Sequence, residues 1–265
     1  MIGVLDSGVG GLGVLAEIRR TVPEADLLYV ADHAGSPYGT KSLGAVRQRV
    51  GGIVTWLLGS GCDIIVLACN TASAAALHWL REMHPGVAFV GMEPALKPAA
   101  VTSRRGRIGV VATAATFQAE LFSSVVDRFA STVEVTTAAC PHWVELVEAG
   151  TISGPLVEES VRTCLRPIIE AGADTLVLAC THYPALFDVI SAVMGPDVEI
   201  IDPAPAVARQ TARVAADRGV AHGAGGLDLR STGDLQAVSS AARRLGLSPV
   251  ATALPFPAWT PETSP

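Results

Sequence analysis

Short apolar runs alternate with amphipathic stretches along most of the chain. Between the runs lie stretches with the apolar spacing of helices, such as LGVLAEIRRTV. The runs themselves have continuous apolar residues, which is typical of parallel strands covered by helices on both faces. The pattern predicts an α/β chain with mainly parallel sheets. Eight runs are predicted as strands: IGVL, DLLYVA, DIIVLA, VAFVGM, RIGVVA, TVEVTTA, TLVLA and VEIID.

Two sequence motifs from the first half of the chain recur, in similar form and in the same order, in the second half. IGVLDSG (2–8) is matched by IGVVATA (108–114), and IIVLACNTASAAAL (64–77) by TLVLACTHYPALFD (175–188). The repeat predicts two similar α/β halves. We expect residues 1–95 plus 206–265 to form one domain and residues 96–205 the other. After residue 205 we expect helices that pack back onto the first domain, and an irregular arm at LPFPAWTPETSP.

Composition narrows the class of protein. The chain has 265 residues, 49% of them hydrophobic, and a net charge of −6, which argues against nucleic acid as the main partner. The N-terminus lacks a basic region and a long apolar region, and the apolar runs are far shorter than the roughly 20 residues of a membrane span. We therefore expect a cytoplasmic protein with no membrane partner, in which the five cysteines stay reduced. No zinc-site spacing is present, so no metal is expected.

Two cysteines occupy equivalent positions in the repeats. Cys69 and Cys180 each follow a predicted strand and precede a predicted helix. Ligands bind at this carboxyl edge of parallel sheets, and a helix N-terminus lowers the pKa of a thiol. Two opposed thiols suit the removal of a proton from one face of a carbon acid and its return to the other. The remaining cysteines (Cys62, Cys140 and Cys164) are predicted to be packing residues.

A glycine motif offers a different interpretation. Gly8, Gly10 and Gly13 form G-x-G-x-x-G after the first strand, and Asp32 follows at the end of the second, as in dinucleotide sites. The carboxylate of Asp6 would repel a pyrophosphate at that turn, whereas it would attract an ammonium group. We therefore reject the dinucleotide hypothesis and expect a tight turn whose N–H groups face the ligand.

Six motifs together carry a family resemblance. DSGVGGLGVL, PYGTKS, ACNTASAAAL, ACPHWVELVEAG, LACTHYPAL and IDPA stand in the order and spacing of the glutamate racemases, within the cofactor-independent aspartate/glutamate racemase superfamily. The resemblance extends from residue 2 to about residue 210. It implies two pseudo-symmetric parallel-sheet α/β domains with the active site in the cleft between them. It also implies interconversion of L- and D-glutamate for bacterial peptidoglycan, without a cofactor, and the possibility of a homodimer.

The resemblance also implies roles for individual residues. Cys69 and Cys180 resemble the two acid/base thiols, Asp6 the carboxylate on the Cys69 side, and His182 and Glu148 its counterparts beside Cys180. Without the resemblance, Asp6 could equally be a turn residue and Glu148 an exposed helix residue. The implied substrate-binding residues are Asp6, Ser7, Pro37, Tyr38, Gly39, Asn70, Thr71, Thr113, Thr116, Thr181 and His182.

The sequence departs from the family pattern in two stretches. The family has a threonine and an arginine before PYG, where this chain has His33, Gly35 and Ser36, and the ACPHWVELVEAG motif carries His142, Trp143 and Glu145 in place of apolar residues and a proline. No role is assigned to His33, His78, His84 or His222. An aspartate racemase is the nearest alternative, and a ligand-binding protein with a degenerate site is another. An NAD-dependent oxidoreductase is a third alternative, but Asp6 argues against it and it does not explain the paired cysteines.

Overall fold

The computed structural model describes residues 1–129 and 133–254. Ten strands are described: β1 (Ile2–Asp6), β2 (Leu27–Ala31), β3 (Ile64–Leu67), β4 (Ala88–Gly91), β5 (Arg107–Ala112), β6 (Glu134–Ala139), β7 (Thr175–Ala179), β8 (Glu199–Ile201), β9 (Leu227–Ser231) and β10 (Thr252–Ala253). The α-helices of the same residues are α1 (Leu12–Thr21), α2 (Leu43–Gly59), α3 (Asn70–Met83), α4 (Leu96–Thr102), α5 (Ala114–Gln118), α6 (Glu120–Phe129), α7 (Pro141–Glu148), α8 (Pro155–Glu170), α9 (Phe187–Met194), α10 (Ala204–Asp217) and α11 (Leu235–Arg244). Short 3-10 helices lie at His33–Gly35, Tyr38–Thr40 and Tyr183–Leu186.

The strands form two parallel sheets. The six-stranded sheet has the order β10-β9-β2-β1-β3-β4, and the four-stranded sheet has the order β6-β5-β7-β8. All eight predicted strands are present, and β1, β2, β3 and β7 are buried along their whole length, as their continuous apolar sequence predicts. The prediction of two parallel-sheet α/β domains is confirmed.

The repeated motifs occupy equivalent places in the two sheets. In the first sheet β1 pairs with β3, with Ile2 opposite Ile64. In the second sheet β5 pairs with β7, with Ile108 opposite Thr175. The strands of each pair are parallel and end at the same edge of their sheet. In the first sheet, the loop with Cys69 therefore lies beside the loop that follows β1. In the second sheet, the loop with Cys180 lies beside the loop that follows β5. A buried apolar cluster continues from one sheet to the other, and it includes Val9 and Tyr183.

The C-terminal segment contributes strands as well as helices, which the sequence analysis did not predict. α10 packs against α1 as expected. In addition, β9 pairs with β2 and β10 pairs with β9, so the segment extends the first sheet. The signal was weak because the LDLRS sequence of β9 mixes apolar and charged residues. The pairing supports the proposed first domain of residues 1–95 plus 206–265, with residues 96–205 as the second. Residues 255–265, which hold nearly all of the predicted arm, lie outside the described residues.

The cysteines differ from expectation in one respect. Cys140 and Cys164 form a disulfide with a Cα–Cα distance of 6.0 Å, so the prediction of five reduced cysteines is wrong. The two residues are 24 positions apart and match no motif. They meet because α8 packs on β6, the strand that Cys140 follows. Cys62, Cys69 and Cys180 are free thiols, and Cys62 is buried in the core as predicted.

In residues 1–129 and 133–254, no helix combines the length and the apolar character that a membrane crossing requires.

Candidate active site

Cys69 lies between β3 and α3 and caps the helix. Its Sγ accepts a hydrogen bond from the N–H of Ala72 at 3.4 Å and lies 4.0 Å from the Ser7 hydroxyl. Burial raises the pKa of the Cys69 thiol well above its ordinary value, and the charge of Asp6 raises it further, whereas the Ala72 N–H lowers it. The expectation that the helix N-terminus favours the thiolate is therefore wrong for the ligand-free site, because loss of hydration outweighs one hydrogen bond.

Cys180 follows β7 at the equivalent edge of the second sheet. The structure places a short 3-10 helix, Tyr183–Leu186, before α9, so the predicted α-helix does not start directly after this cysteine. The Cys180 Sγ lies 3.8 Å from Nδ1 of His182. The thiol at this site is thus paired with an imidazole, where Cys69 has a helix N–H and a hydroxyl.

Both cysteines line one small cavity between the two sheets. Its volume is about 10 Å³, close to the space of a single water molecule. Within the described part of the chain, neither amide atom of the buried Asn70 side chain has a hydrogen-bond partner. Val144 of α7 is the lining residue that the sequence analysis missed. The predicted residues that line the cavity are Ser7, Pro37, Tyr38, Gly39, Cys69, Asn70, Thr71, Thr113, Cys180, Thr181 and His182.

Three threonine hydroxyls form a cluster at this cavity. Thr71 Oγ1 lies 3.0 Å from Thr113 Oγ1 and 3.3 Å from Thr116 Oγ1, and the last two are 2.9 Å apart. Thr71 belongs to α3 of the first sheet, whereas Thr113 caps α5 after β5 of the second. The cluster therefore connects the two domains, and its hydroxyls can turn to donate to a carboxylate.

Asp6 is fully buried at the end of β1. Its carboxylate accepts hydrogen bonds from the Gly8 N–H at 2.9 Å and from the Thr181 hydroxyl at 3.2 Å. Burial raises the pKa of Asp6 above its ordinary value, although the positive charge of His182 opposes this. The Asp6 side chain caps the turn after β1, which is the role of a turn residue that the sequence also allowed. It reaches the second domain beside Cys180 as well.

His182 and Glu148 form a close pair. His182 Nε2 lies 2.6 Å from Glu148 Oε1. Burial by itself would lower the pKa of His182, but the hydrogen bonds to Cys180 and Glu148 raise it well above its ordinary value. Burial would likewise raise the pKa of Glu148, yet the hydrogen bonds from His182 and His33 hold it well below its ordinary value. The pair therefore favours an imidazolium beside Cys180 and a carboxylate behind it.

His33 is a second residue that the sequence analysis left without a role. Its Nε2 lies 3.2 Å from Glu148 Oε2, on the opposite side of the carboxylate from His182. Residues 33 and 148 are distant in sequence, so no local motif predicts their contact. In the other unusual stretch, His142 pairs with Glu145 at the surface, and Trp143 is buried with its ring against Tyr183.

The glycine motif is explained by close packing against the second domain. A Cβ atom at Gly8 would overlap the Glu148 carboxylate, and one at Gly10 would lie 2.6 Å from His182 Nδ1. At Gly13 a Cβ atom would meet nothing within 4 Å. The first two glycines are thus needed because side chains of the second domain pack directly against this turn.

Asp32 has a structural environment instead of a ligand-binding one. It is fully buried and paired with the guanidinium of Arg49. It also accepts hydrogen bonds from the Tyr38 hydroxyl at 2.6 Å and the Thr232 hydroxyl at 2.7 Å. Through Tyr38, this network supports the wall of the cavity, and it leaves the carboxylate unavailable to a ribose.

Comparison with known proteins agrees with this geometry. The Asp/Glu/Hydantoin racemase family matches residues 2–211. A glutamate racemase of Pseudomonas aeruginosa (strain UCBPP-PA14) is 49% identical over 217 residues, which are 82% of this chain and 82% of that protein. Among solved structures, a glutamate racemase isoform from Bacillus anthracis has a TM-score of 0.87 at 32% identity and covers 96% of this chain and 97% of its own.

A further solved structure carries ligands. Escherichia coli glutamate racemase, in complex with L-glutamate and the activator UDP-MurNAc-ala, has a TM-score of 0.83 at 30% identity, covering 95% of this chain and 96% of its own. The family match spans most of the chain and includes both cysteine loops and the glycine motif. The chain therefore belongs to the Asp/Glu/hydantoin racemase family and is an isomerase.

Proposed function

We propose that this isomerase interconverts L- and D-glutamate, with Cys69 and Cys180 as acid and base on opposite faces of Cα. One observation carries the proposal: cysteines from equivalent loops of two similar sheets line the same cavity. The similarity to relatives named glutamate racemase supports the substrate, as does the L-glutamate in the Escherichia coli structure. Aspartate remains the rival substrate.

The proposed reaction exchanges protons only. One cysteine, as thiolate, removes the Cα proton and leaves a carbanion whose charge spreads into the α-carboxylate. The thiol on the opposite face then donates its proton to Cα and becomes the thiolate. No oxidation state changes, so the step requires no redox cofactor. From the resemblance, we propose that Cys69 deprotonates D-glutamate and that Cys180 deprotonates L-glutamate.

The substrate itself helps to ionise Cys69 in this proposal. In the ligand-free site, burial and the nearby Asp6 charge both oppose the thiolate. An ammonium group beside Asp6 would offset the repulsion between that carboxylate and a thiolate. On the other side, the imidazolium of His182 would stabilise a thiolate at Cys180, 3.8 Å away. The two thiols would thus be activated by different charges.

Hydroxyl and amide groups are proposed to bind the two carboxylates. Among the described residues, the Asn70 amide has no hydrogen-bond partner, and the cluster of Thr71, Thr113 and Thr116 can reorient toward an anion. We add the hydroxyls of Ser7 and Thr181 and the backbone N–H groups of Tyr38 and Gly39, which line the same cavity, with Pro37 as a contact residue beside them. The cavity, at about 10 Å³, is smaller than an amino acid, so we propose that its walls move apart when the substrate binds.

The broader biological setting follows from the family resemblance. We propose that the chain supplies D-glutamate for bacterial peptidoglycan and works in the cytoplasm, with the homodimer as a further proposal. Growth of a D-glutamate auxotroph on a plasmid carrying this gene tests the first point. Light scattering of the purified protein distinguishes one chain from two.

A circular dichroism assay tests the enzymatic proposal. Purified protein should bring either L- or D-glutamate to the racemic mixture, and activity should survive dialysis against a chelator. Aspartate in the same assay decides between the two substrates. If neither amino acid loses its optical activity, the proposal is wrong and a binding protein becomes the better hypothesis. Thermal stabilisation by NAD would instead support the oxidoreductase.

A further inference from the structure

Glu148 is held from three directions. Its Oε1 accepts the N–H of Val9 at 3.0 Å and faces His182 Nε2 at 2.6 Å. Its Oε2 faces His33 Nε2 at 3.2 Å. The carboxylate therefore connects α7 of the second domain with two loops of the first, one after β1 and one after β2. Since Oε1 contacts His182, the contact of Oε2 with His33 restricts the rotation of the carboxylate.

The His33 ring is itself oriented by the C-terminal segment. Its Nδ1 accepts a hydrogen bond from the Asp234 N–H at 3.2 Å, and Asp234 caps α11 through the N–H groups of Gln236 and Ala237. A neutral imidazole that accepts at Nδ1 carries its hydrogen on Nε2. An imidazolium also carries a hydrogen on Nε2 and donates to Glu148, but it carries one on Nδ1 as well, so the hydrogen bond from the Asp234 N–H belongs to the neutral ring.

We propose that His33 is a positioning residue of the racemase reaction, which holds Glu148 so that the carboxylate orients His182 beside Cys180. The inference rests on the proposed function and adds a residue to it. The chain of contacts runs from Asp234 through His33, Glu148 and His182 to the Cys180 thiol. Through these contacts, the C-terminal segment supports the Cys180 thiol but not the Cys69 thiol.

This asymmetry supplies the test. Without the Oε2 contact, Glu148 can rotate and admit water, and the His182 imidazole loses its fixed orientation toward Cys180. Steps in which Cys180 is the base should slow, whereas steps in which Cys69 is the base should not. Racemisation cannot separate the two, because its equilibrium constant of 1 ties the kcat/KM values of both directions together. Elimination can, since it needs a base on one face only.

The experiment uses the L and D forms of a glutamate analogue with chlorine on Cβ. The base removes the Cα proton, chloride leaves Cβ, and the resulting enamine hydrolyses to a keto acid and ammonia. For His33→Ala we expect chloride release from the L form to fall about tenfold to a hundredfold, while release from the D form stays within about twofold. His78→Ala, at an exposed surface histidine, is the matched control for both forms.

Two further variants separate positioning from folding. His33→Gln places an amide N–H near the Nε2 position and should recover most of the lost L-form rate. His33→Asn keeps an acceptor near Nδ1 but is too short to reach Glu148, and should behave as His33→Ala. Thermal melts establish that the variants are folded. If His33→Ala is unfolded, the comparison of His33→Gln with His33→Asn decides whether His33 positions Glu148.

Equal losses on the L and D forms, or no loss on either, would overturn the role of His33. In that case wild type would still racemise glutamate, and the proposed function would stand. If wild type racemises neither glutamate nor aspartate, the proposed function fails first.

Discussion

The Thr181 hydroxyl donates a hydrogen bond to the Asp6 carboxylate, with an oxygen–oxygen distance of 3.2 Å, across the boundary between the two sheets. The two residues are 175 positions apart. Asp6 ends β1 of the first sheet, and Thr181 directly follows Cys180 of the second. The contact joins the two halves beside the proposed catalytic thiols.

The division of labour between the cysteines gives the first prediction. Cys69→Ser and Cys180→Ser should each abolish racemisation of glutamate, because a serine hydroxyl is a far weaker acid than a thiol and forms its anion far less readily. Each variant should still eliminate chloride from one form of the chlorinated analogue: the L form for Cys69→Ser and the D form for Cys180→Ser. Chloride release measures both rates.

The control for these variants is Cys62→Ala, in a buried cysteine that does not line the cavity. It should racemise glutamate at close to the wild-type rate. Full racemisation by either serine variant would mean that the paired thiols are structural.

The glycine motif gives a matched pair of substitutions. Gly10→Ala would bring a Cβ atom within 2.6 Å of His182 Nδ1 and 2.7 Å of Thr181 Oγ1. We expect it to destabilise the protein by about 1 to 3 kcal/mol and to lower activity sharply. Gly13→Ala, in a helix and with open space around it, should stabilise by about 0.5 to 1 kcal/mol. Urea unfolding measures both; similar effects at the two positions would contradict the packing explanation of the motif.

The Glu148 and His182 pair predicts a pH-dependent stability. The pKa of Glu148 lies below its ordinary value of 4.5, so its contribution is complete above that pH and is lost as the pH falls through the lowered pKa. The pKa of His182 lies above its ordinary value of 6.5, so its contribution is complete below that pH and is lost as the pH rises through the raised pKa.

Glu148→Gln should therefore reduce the free energy of unfolding most between about pH 4.5 and 6.5, by about 1.5 to 3 kcal/mol. Denaturant titrations at a series of pH values measure the difference from wild type. Glu145→Gln, at an exposed position of the same helix, is the control and should stay close to wild type throughout. A constant difference for Glu148→Gln across the whole range would show that ionisation of the pair is not involved.

The disulfide predicts a response to reductant. Cys140 and Cys164 are 24 positions apart, and closing a loop of that length stabilises a protein by about 2 to 4 kcal/mol. Reduction of wild type should lower the unfolding midpoint, and Cys164→Ser should begin at the lower value and not respond. Thiol titration of the unfolded chain gives an independent reading. Five free thiols without reductant would refute the bond.

Much of the fold was predictable because its signals are local. β1, β2, β3 and β7 are buried along their whole length, and burial on both faces of a strand requires a continuous apolar sequence. The repeated motifs then implied that Cys69 and Cys180 occupy equivalent positions in the two halves. β9 escaped prediction because its residues alternate between apolar and charged, and its strand character comes from pairing with β2.

The sequence by itself determined the α/β class, the two similar halves and the equivalent positions of Cys69 and Cys180, since strand and helix periodicity and motif identity are properties of neighbouring positions. Only the tertiary structure decided how distant side chains meet: His33 at Glu148, Cys140 at Cys164, and Gly8 beneath the Glu148 carboxylate. It also decided the direction in which the pKa of Cys69 shifts. The helix N-terminus, which lowers this pKa, can be recognised from the sequence, but the burial that raises it and outweighs the helix arises only when the two sheets close over the thiol.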